Sequence, residues 1–339
     1  MKTTSFALML IACAVLPCSA DTIRAREAID VKDYATAVTE FEESAKEGDA
    51  LAQNNLGVLY SRGLGVKQDA KEAVHWWRQA AEKNYAPAQY NIGMAYLRGQ
   101  GVDKSADIAM QWLAKAAAQG DKDAQFQAGV AYAEGRGVTR DLATAARWFE
   151  KAAAQGMASA QYNLGTFHAQ GLGVKQDKVE ALTWYLRAAN NNHAEAQFML
   201  GQLYLIGDGA ARDPAQSAKW FRKAAEQGIA PAQLNIGMML LSGQGVEVNE
   251  KEGAEWVRRA AEQGLEGAQH SLGDLFRDGR GVAKDPVEAY AWYDTSGANG
   301  YKESFKDRDA LSSSLDAASL EKAKTLAAQY LSKFHAPMK

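Results

Sequence analysis

The residues in this chain that could do chemistry are few, and they are best taken one at a time. Ser319-Leu320-Glu321-Lys322 has the serine-x-x-lysine spacing of penicillin-recognising acyl-enzymes, in which a lysine one helical turn on sits beside a nucleophilic serine. The companion motifs that would supply a further base and an oxyanion hole are absent, and the string opens a helical pattern, where serine serves as an N-cap and lysine as an exposed residue. His75, His168, His193, His270 and His335 are dispersed, with no pair at helical spacing and no acidic pattern of a zinc hydrolase, so no metal site is expected. Gly99-Gln100-Gly101-Val102-Asp103-Lys104 is glycine-rich but lacks the Gly-Lys-Ser/Thr ending of a phosphate loop and follows a helical pattern instead of a strand, so it reads as a turn. No calcium loop with alternating acids is present. The sequence therefore predicts no enzyme, no cofactor and no metal.

What remains is chemistry of the non-covalent kind. Asn55, Asn91, Gln127, Asn163 and Asn235 recur at one position, interrupted by Met199 and Ser271. Amides offer both donors and acceptors, which suits holding an extended peptide by its backbone. The other use of such amides, satisfying carbonyls of their own neighbouring segments, stays open at this point. Three residues further on stand Val58, Met94, Val130, Thr166, Gln202, Met238 and Asp274, apolar toward the N-terminal half and, Met238 apart, polar toward the other. Exposed methionines adapt to varied partners, so these positions are candidates for a surface that reads its partner unevenly along its length. The aromatic series Tyr90, Phe126, Tyr162 and Phe198 could stack a glycan, but its regularity assigns it to packing between adjacent repeats.

All of these positions follow one period. Gln53 recurs as Gln89, Gln125, Gln161, Gln197, Gln233 and Gln269; Gly57 and Trp76 recur with the same gapless 36-residue step, giving seven copies. Within a copy, Ala52, Leu56, Leu59 and Tyr60 have helical spacing, and after a loop so do Ala73, Trp76, Trp77, Ala80 and Ala81. Each copy is therefore helix, loop, helix, and the fold class is all-α. The first helix turns Leu51, Asn55, Val58 and Arg62 away from its packing partner. A glycine inside a helix costs about 1 kcal/mol against alanine; at Gly57 the expected compensation is close approach of the second helix with its bulky Trp76. Gly63 and Gly65 supply positive φ to the loop, and Val66 returns to the core. Asp69 with Glu72, Asp177 with Glu180, and Asp285 with Glu288 read as capping boxes. Gly120, Gly156, Gly228, Gly264 and Gly300, or Asn84 and Asn192, end the second helices.

The division that follows is a leader over 1–20, an N-terminal capping half-repeat over 21–49, repeats over 50–85, 86–121, 122–157, 158–193, 194–229, 230–265 and 266–301, and capping helices over 302–339. The leader rests on Lys2, the apolar residues 6–16, Pro17 and the small Cys18-Ser19-Ala20, with cleavage after Ala20. Its apolar part is too short to span a membrane. Both cysteines, Cys13 and Cys18, would leave with it, and lipid attachment at Cys18 is disfavoured by Pro17 before it. A formal net charge of −3 argues against nucleic-acid and anionic-membrane partners.

One repeat, Ala158-Ser159-Ala160-Gln161-Tyr162-Asn163-Leu164-Gly165, then Gly171-Leu172-Gly173-Val174-Lys175-Gln176-Asp177, then Ala181, Trp184-Tyr185 and Ala188-Ala189, resembles the Sel-one-like repeat family, a relative of the tetratricopeptide solenoids. The resemblance spans all seven copies. It departs at Ala210, where valine is usual and the fifth loop should pack more loosely, and at Asn249, where the cap is Asn. The resemblance implies a right-handed α/α solenoid superhelix with a concave groove lined by first helices. In that setting the protein is a periplasmic or secreted monomeric adaptor that binds a protein or peptide. An alternative is a periplasmic regulator restraining an envelope sensor; a penicillin-interacting cell-wall enzyme is a third, suggested by penicillin-binding relatives of the family.

Overall fold

The computed structural model describes residues 20–334. Apart from Ala20, the expected leader with Cys13 and Cys18 lies outside the described residues, as does His335. Among the described residues there are eighteen helices and no strand. They form two compact bodies, one comprising residues up to Gln155 with the loop Leu172–Val174, the other Gly156–Gly171 with everything from Lys175 onward.

In the first body, α1 (Ala20–Asp30) and α2 (Tyr34–Lys46) precede three hairpins: α3 (Ala50–Arg62) with α4 (Ala70–Glu82), α5 (Ala86–Arg98) with α6 (Ala106–Ala118), and α7 (Lys122–Glu134) with α8 (Leu142–Ala154). In the second, four hairpins follow: α9 (Ala158–Gln170) with α10 (Lys178–Asn190), α11 (Ala194–Ile206) with α12 (Pro214–Glu226), α13 (Ala230–Ser242) with α14 (Glu250–Glu262), and α15 (Glu266–Asp278) with α16 (Pro286–Asn299). Then come α17 (Ser304–Ser312) and α18 (Ala317–Lys333). Within each body every hairpin packs on the next, the arrangement of an α/α solenoid.

The helix-interior glycine does permit close approach, but its partner is the residue after the recurrent tryptophan. A Cβ at Gly57 would stand 2.6 Å from the Trp77 ring, and one at Gly201 would stand 2.4 Å from Phe221. The recurrent tryptophan faces the preceding hairpin instead, as at two copies in the first body: Trp112 packs on the core of Ala73, Trp77 and Ile92, and Trp148 on that of Leu113 and Ala124. A cation one turn further on lies over several of these rings, as Lys115 does over Trp112 at 4.3 Å.

The second loop glycine docks one hairpin on the previous one. Gly101 and Gly137 have φ of 72° and 68°, and a Cβ there would stand 2.1 Å from the Ala70 carbonyl oxygen and 2.4 Å from the Ala106 carbonyl. At the fifth loop, with Ala210, the corresponding distance from Gly209 to Lys178 O is 2.6 Å, a looser approach, and a Lys178–Asp208 ion pair at 2.8 Å spans it.

Asp69 caps α4 as expected, accepting from the N–H groups of Lys71 and Glu72. The reciprocal half of the capping box is not made, because the Asp69 N–H donates to Tyr60 O at 3.0 Å, as Asp177 N–H does to His168 O and Asp285 N–H to Phe276 O. The cap residue thus ties the loop back onto the first helix. Asn249 does the same with Leu240 O and caps α14 through Glu252 N–H.

The invariant glutamine is a staple. Gln125 Nε2 donates to Ala117 O of the preceding hairpin at 3.2 Å, while its Oε1 accepts from Gln155 at the end of its own second helix at 2.9 Å. Gln89 with Gln119, Gln197 with Gln227 and Gln233 with Gln263 repeat that second bond at 2.7 Å. The first repeat breaks the pattern: Lys83 occupies the donor position and bonds Gly48 O, leaving buried Gln53 Oε1 without a partner. A glutamine there would reach both oxygens, as Gln155 reaches Gly120 O and Gln125 Oε1. Lys83→Gln is expected to raise stability by about 1 kcal/mol, the net worth of one buried hydrogen bond, measurable as a higher urea midpoint.

Candidate partner-binding face

The first helix of each of the seven hairpins buries Ala52, Gln53 and Leu56 or their counterparts, and the stripe through positions 55, 58 and 62 lies on its other side, open to solvent except at Asn55. That stripe is where the expected site residues fall, and the structure sorts them into three groups.

Some are spent on the fold. Asn55 is only 6% exposed, not open as the helical spacing implied. Its neighbour Asn54 stands where later repeats carry Tyr90, Phe126, Tyr162 and Phe198, and the smaller side chain lets the amides close into a network: Asn54 Nδ2 donates to Asn55 Oδ1 at 3.4 Å, and Asn91 Nδ2 to Asn54 Oδ1 at 2.9 Å. Thr166 is likewise engaged, its hydroxyl on Tyr162 O at 3.2 Å and the Tyr185 hydroxyl at 3.1 Å. Met94 and Met199 are half-buried and pack against the cores beside Leu113 and Leu200.

Others are free to bind. Gln127 in the first body and Asn163 and Asn235 in the second are half-buried, and among the described residues their side-chain amides make no hydrogen bond. Gln202 is in the same condition. Val58 and Val130 are half-buried, and Met238 is 46% exposed, one of the few large apolar side chains that protrude.

A third group makes up the local electrostatics. The last turns of α3 and α5 end in exposed Arg62 and Arg98, one period apart. In the last repeat the corresponding face is acidic, with Asp274 held by Arg277 at 2.9 Å and by the Tyr293 hydroxyl at 2.7 Å. Burial and Asp274 raise the Tyr293 hydroxyl well above the usual range, and burial pushes Tyr90 up to about 12, so both stay neutral.

The aromatic series packs, mostly within its own repeat: Phe126 lies 5.8 Å from Phe149, Tyr162 5.7 Å from Tyr185, and Phe198 5.7 Å from Phe221, ring centroid to centroid. His193 caps α11 at Ala196 N–H and stacks on Tyr162 at 4.8 Å; burial lowers its pKa against the opposing pull of Glu195. His270 has more acidic company than the sequence suggested, with Asp274 at 3.6 Å and Asp307 at 3.9 Å, but its Nδ1 is held 2.9 Å from Ser304 Oγ, which is fully buried and also bonds Ser296. That contact docks the start of α17 onto the last hairpin. Ser319 is not the cap of α18; Asp316 is, accepting the Ser319 N–H at 2.7 Å. No group of three metal-ligating side chains lies together among the described residues.

Sequence reasoning missed Arg98, whose signal was its 36-residue step from Arg62. It also missed a cavity of 430 Å³ between α3 and α5, lined by Val58, Arg62, Trp77, Asn91, Met94 and Arg98 among others.

The Sel1 repeat family model matches residues 50–85, 86–121, 122–157, 158–193, 194–229, 230–265 and 267–301. A Sel1 repeat protein from Oxalobacter formigenes is 32% identical over 71% of this chain and 96% of its own, with a TM-score of 0.63. The protective antigen c5321 of uropathogenic Escherichia coli, described as displaying an SLR fold, is 31% identical over 93% of this chain and 84% of its own, with a TM-score of 0.48. The immunity protein Pa5087 from Pseudomonas aeruginosa is 22% identical over 67% and 88%, with a TM-score of 0.40. Among curated proteins, none matches this chain.

Proposed function

The chain belongs to the Sel1 repeat family, whose repeats are in general protein-interaction scaffolds, and from that premise we propose that this protein is an exported, non-enzymatic, monomeric adaptor that holds a protein or peptide partner against its first-helix faces. The observation that carries the reading is the contrast between two amides on one helix. Gln125 is buried and committed at both ends, while Gln127, two residues on, is half-buried and makes no hydrogen bond among the described residues. Asn163 and Asn235 repeat the second condition. Amides left over when the fold has met its own needs can donate to and accept from a peptide backbone. Beside them Val130 and Met238 supply apolar contact.

Export rests on Lys2, the apolar residues 6–16 and Cys18-Ser19-Ala20. No helix among the described residues is long and apolar enough to cross a membrane. The non-enzymatic reading rests on the geometry at the C-terminus, where the Ser319 backbone serves the cap and exposed Lys322 makes no side-chain hydrogen bond or ion pair among the described residues.

Site-specific photo-crosslinking in living cells tests the reading. A benzoylphenylalanine at 130 or 238 is expected to capture a defined envelope protein. The same probe at Val179, 65% exposed on a second helix, is expected to capture none. Adducts confined to second-helix positions would overturn it.

A further inference from the structure

The last repeat holds, within the chain itself, an example of what can dock on a second helix. In the five inner repeats the recurrent tryptophan has a cation over its ring, from Lys115 over Trp112 at 4.3 Å to Arg259 over Trp256 at 4.5 Å. Among the described residues the two terminal ones, Trp76 and Trp292, have none. At the last repeat the cation's position is Thr295, buried and bonded to Ala291 O, and α18 covers the ring instead. Tyr330 lies 4.5 Å and Phe334 5.5 Å from Trp292, centroid to centroid. Two polar groups flank that contact: Glu288 accepts the Tyr330 hydroxyl at 2.9 Å, and Asn299 donates to Phe334 O, at the C-cap of α18, at 3.0 Å.

Six repeats earlier the same three positions are Glu72, Trp76 and Lys83. The residue that would lid Trp76 is Gln79, whose amide is drawn to buried Gln53 at 3.0 Å and to His75 at 2.8 Å. Here, however, no helix runs along α4 as α18 runs along α16; α4 packs on α3 and α5. Trp76 is half-buried and Glu72 exposed, and neither the indole N–H nor the carboxylate makes a hydrogen bond among the described residues. Exposed Lys83 bonds Gly48 O and has two further protons to donate. Gln269, which also donates to Phe334 O, has Gln53 as its counterpart, and Gln53 Oε1 is buried and unpartnered.

We propose that the α4 face at Glu72, Trp76 and Lys83 is a docking site for a helical segment of another protein that carries a tyrosine and, four residues on at its C-terminal end, a second aromatic. The site is separate from the first-helix faces and does not depend on them. Each contact selects one feature of the occupant. A carboxylate accepting a phenol O–H makes a charge-assisted bond about twice as strong as a neutral one, which favours tyrosine over phenylalanine at the first position. Residues four apart share one face of a helix, so both rings reach Trp76 together and gain the attraction of offset aromatic pairs. The Lys83 ammonium meets the carbonyl end of the helix, where a cation is stabilised, and so sets its direction. The chain's own α18 is spent on α16, so the occupant comes from elsewhere.

The test uses the purified protein and, as the probe, a fluorescein-labelled peptide of residues 317–334, read by fluorescence anisotropy. Saturable binding is expected, weakened by about tenfold when the peptide carries Tyr330→Phe. Glu72→Ala in the protein should weaken it equally, and the two changes together should cost no more than either alone, the signature of one shared bond. Gln79→Arg, which sets over Trp76 the lid of the inner repeats, should weaken binding by about tenfold or more. The fold should tolerate it, because Gln53 Nε2 keeps Ala45 O at 3.0 Å, and an unchanged melting profile checks this. Binding indifferent to both Glu72→Ala and Gln79→Arg would put the peptide elsewhere and overturn the site, as would no binding at about 1 mM peptide, the limit of a useful affinity. Self-association of the protein alone in sedimentation, lost with Gln79→Arg, would give the site to a second copy and overturn the proposed occupant. The first-helix reading stands or falls separately, on crosslinking at 130 and 238.

Discussion

Gly137→Ala is expected to cost about 3 kcal/mol or more, whereas Gly120→Ala should cost only about 1–2 kcal/mol. Both glycines have positive φ, 68° and 94°, so both substitutions incur the strain of a left-handed L-residue, of order 1–2 kcal/mol. They differ in what the new methyl meets. At Gly120 nothing lies within 4 Å, while at Gly137 the Ala106 carbonyl stands at 2.4 Å. A backbone carbonyl at a helix start cannot swing aside as a side chain would. The hairpin of α7 and α8 must therefore lift off that of α5 and α6. In a stack held by neighbour contacts, weakening one interface splits the cooperative unit. Urea unfolding followed by circular dichroism should show an added early transition for Gly137→Ala and a uniformly shifted single one for Gly120→Ala. Equal losses for the two would mean that the loop glycine serves only its own backbone.

The second large effect is at Gln125. Removing its side chain breaks two hydrogen bonds: one accepted by the Ala117 carbonyl at 3.2 Å, which keeps the Gly120 N–H at 3.1 Å, and one donated by the Gln155 amide at 2.9 Å. Gln155 keeps its other acceptor, Gly120 O. Each buried hydrogen bond lost costs about 0.5–1.5 kcal/mol, and the vacated volume adds to it. Gln125→Ala is thus expected to lose about 3 kcal/mol. Gln125→Leu, which fills the space but not the bonds, should recover less than half. A full recovery by leucine would show that volume, not hydrogen bonding, conserves the staple.

These two sites indicate which parts of the fold were legible in the sequence. The hairpin, its loop and its caps are written locally, in the spacing of Leu56 and Leu59, the glycines at positive φ and Asp69, Asp177 and Asp285 at the N-caps of α4, α10 and α16, and all of these are found as read. What lay beyond reading was the partner across an interface. Helical spacing shows that Gly57 must admit something, but the register of one helix against another decides that it is Trp77 and not Trp76. Likewise the Asp69–Glu72 pair suggested a closed capping box, while the carbonyl that takes the cap's N–H, Tyr60 O, comes from the preceding helix. The candidate site was legible as a stripe. Its sorting was not, because whether an amide is free depends on its neighbours. Asn55 is closed in by the substitution of Asn for an aromatic at 54, and Thr166 by a tyrosine nineteen residues away. The arginine pair was missed for a different reason: a recurring position held only twice by the same residue is invisible to a search for what all seven copies share.

That contrast defines the account's central claim, that residues common to the repeats hold the structure and the unbonded amides between them hold the partner. The direct measurement is the Gln127→Ala, Asn163→Ala, Asn235→Ala triple variant, with thermal unfolding and benzoylphenylalanine crosslinking at 238 recorded on the same preparation. The melting temperature should stay within about 2 °C of the parent, since no internal hydrogen bond is lost, and the crosslinked partner should fall by about tenfold or more, at roughly 0.5–1.5 kcal/mol per amide. A variant that melts early, or one that melts normally and captures its partner in full, would contradict the claim.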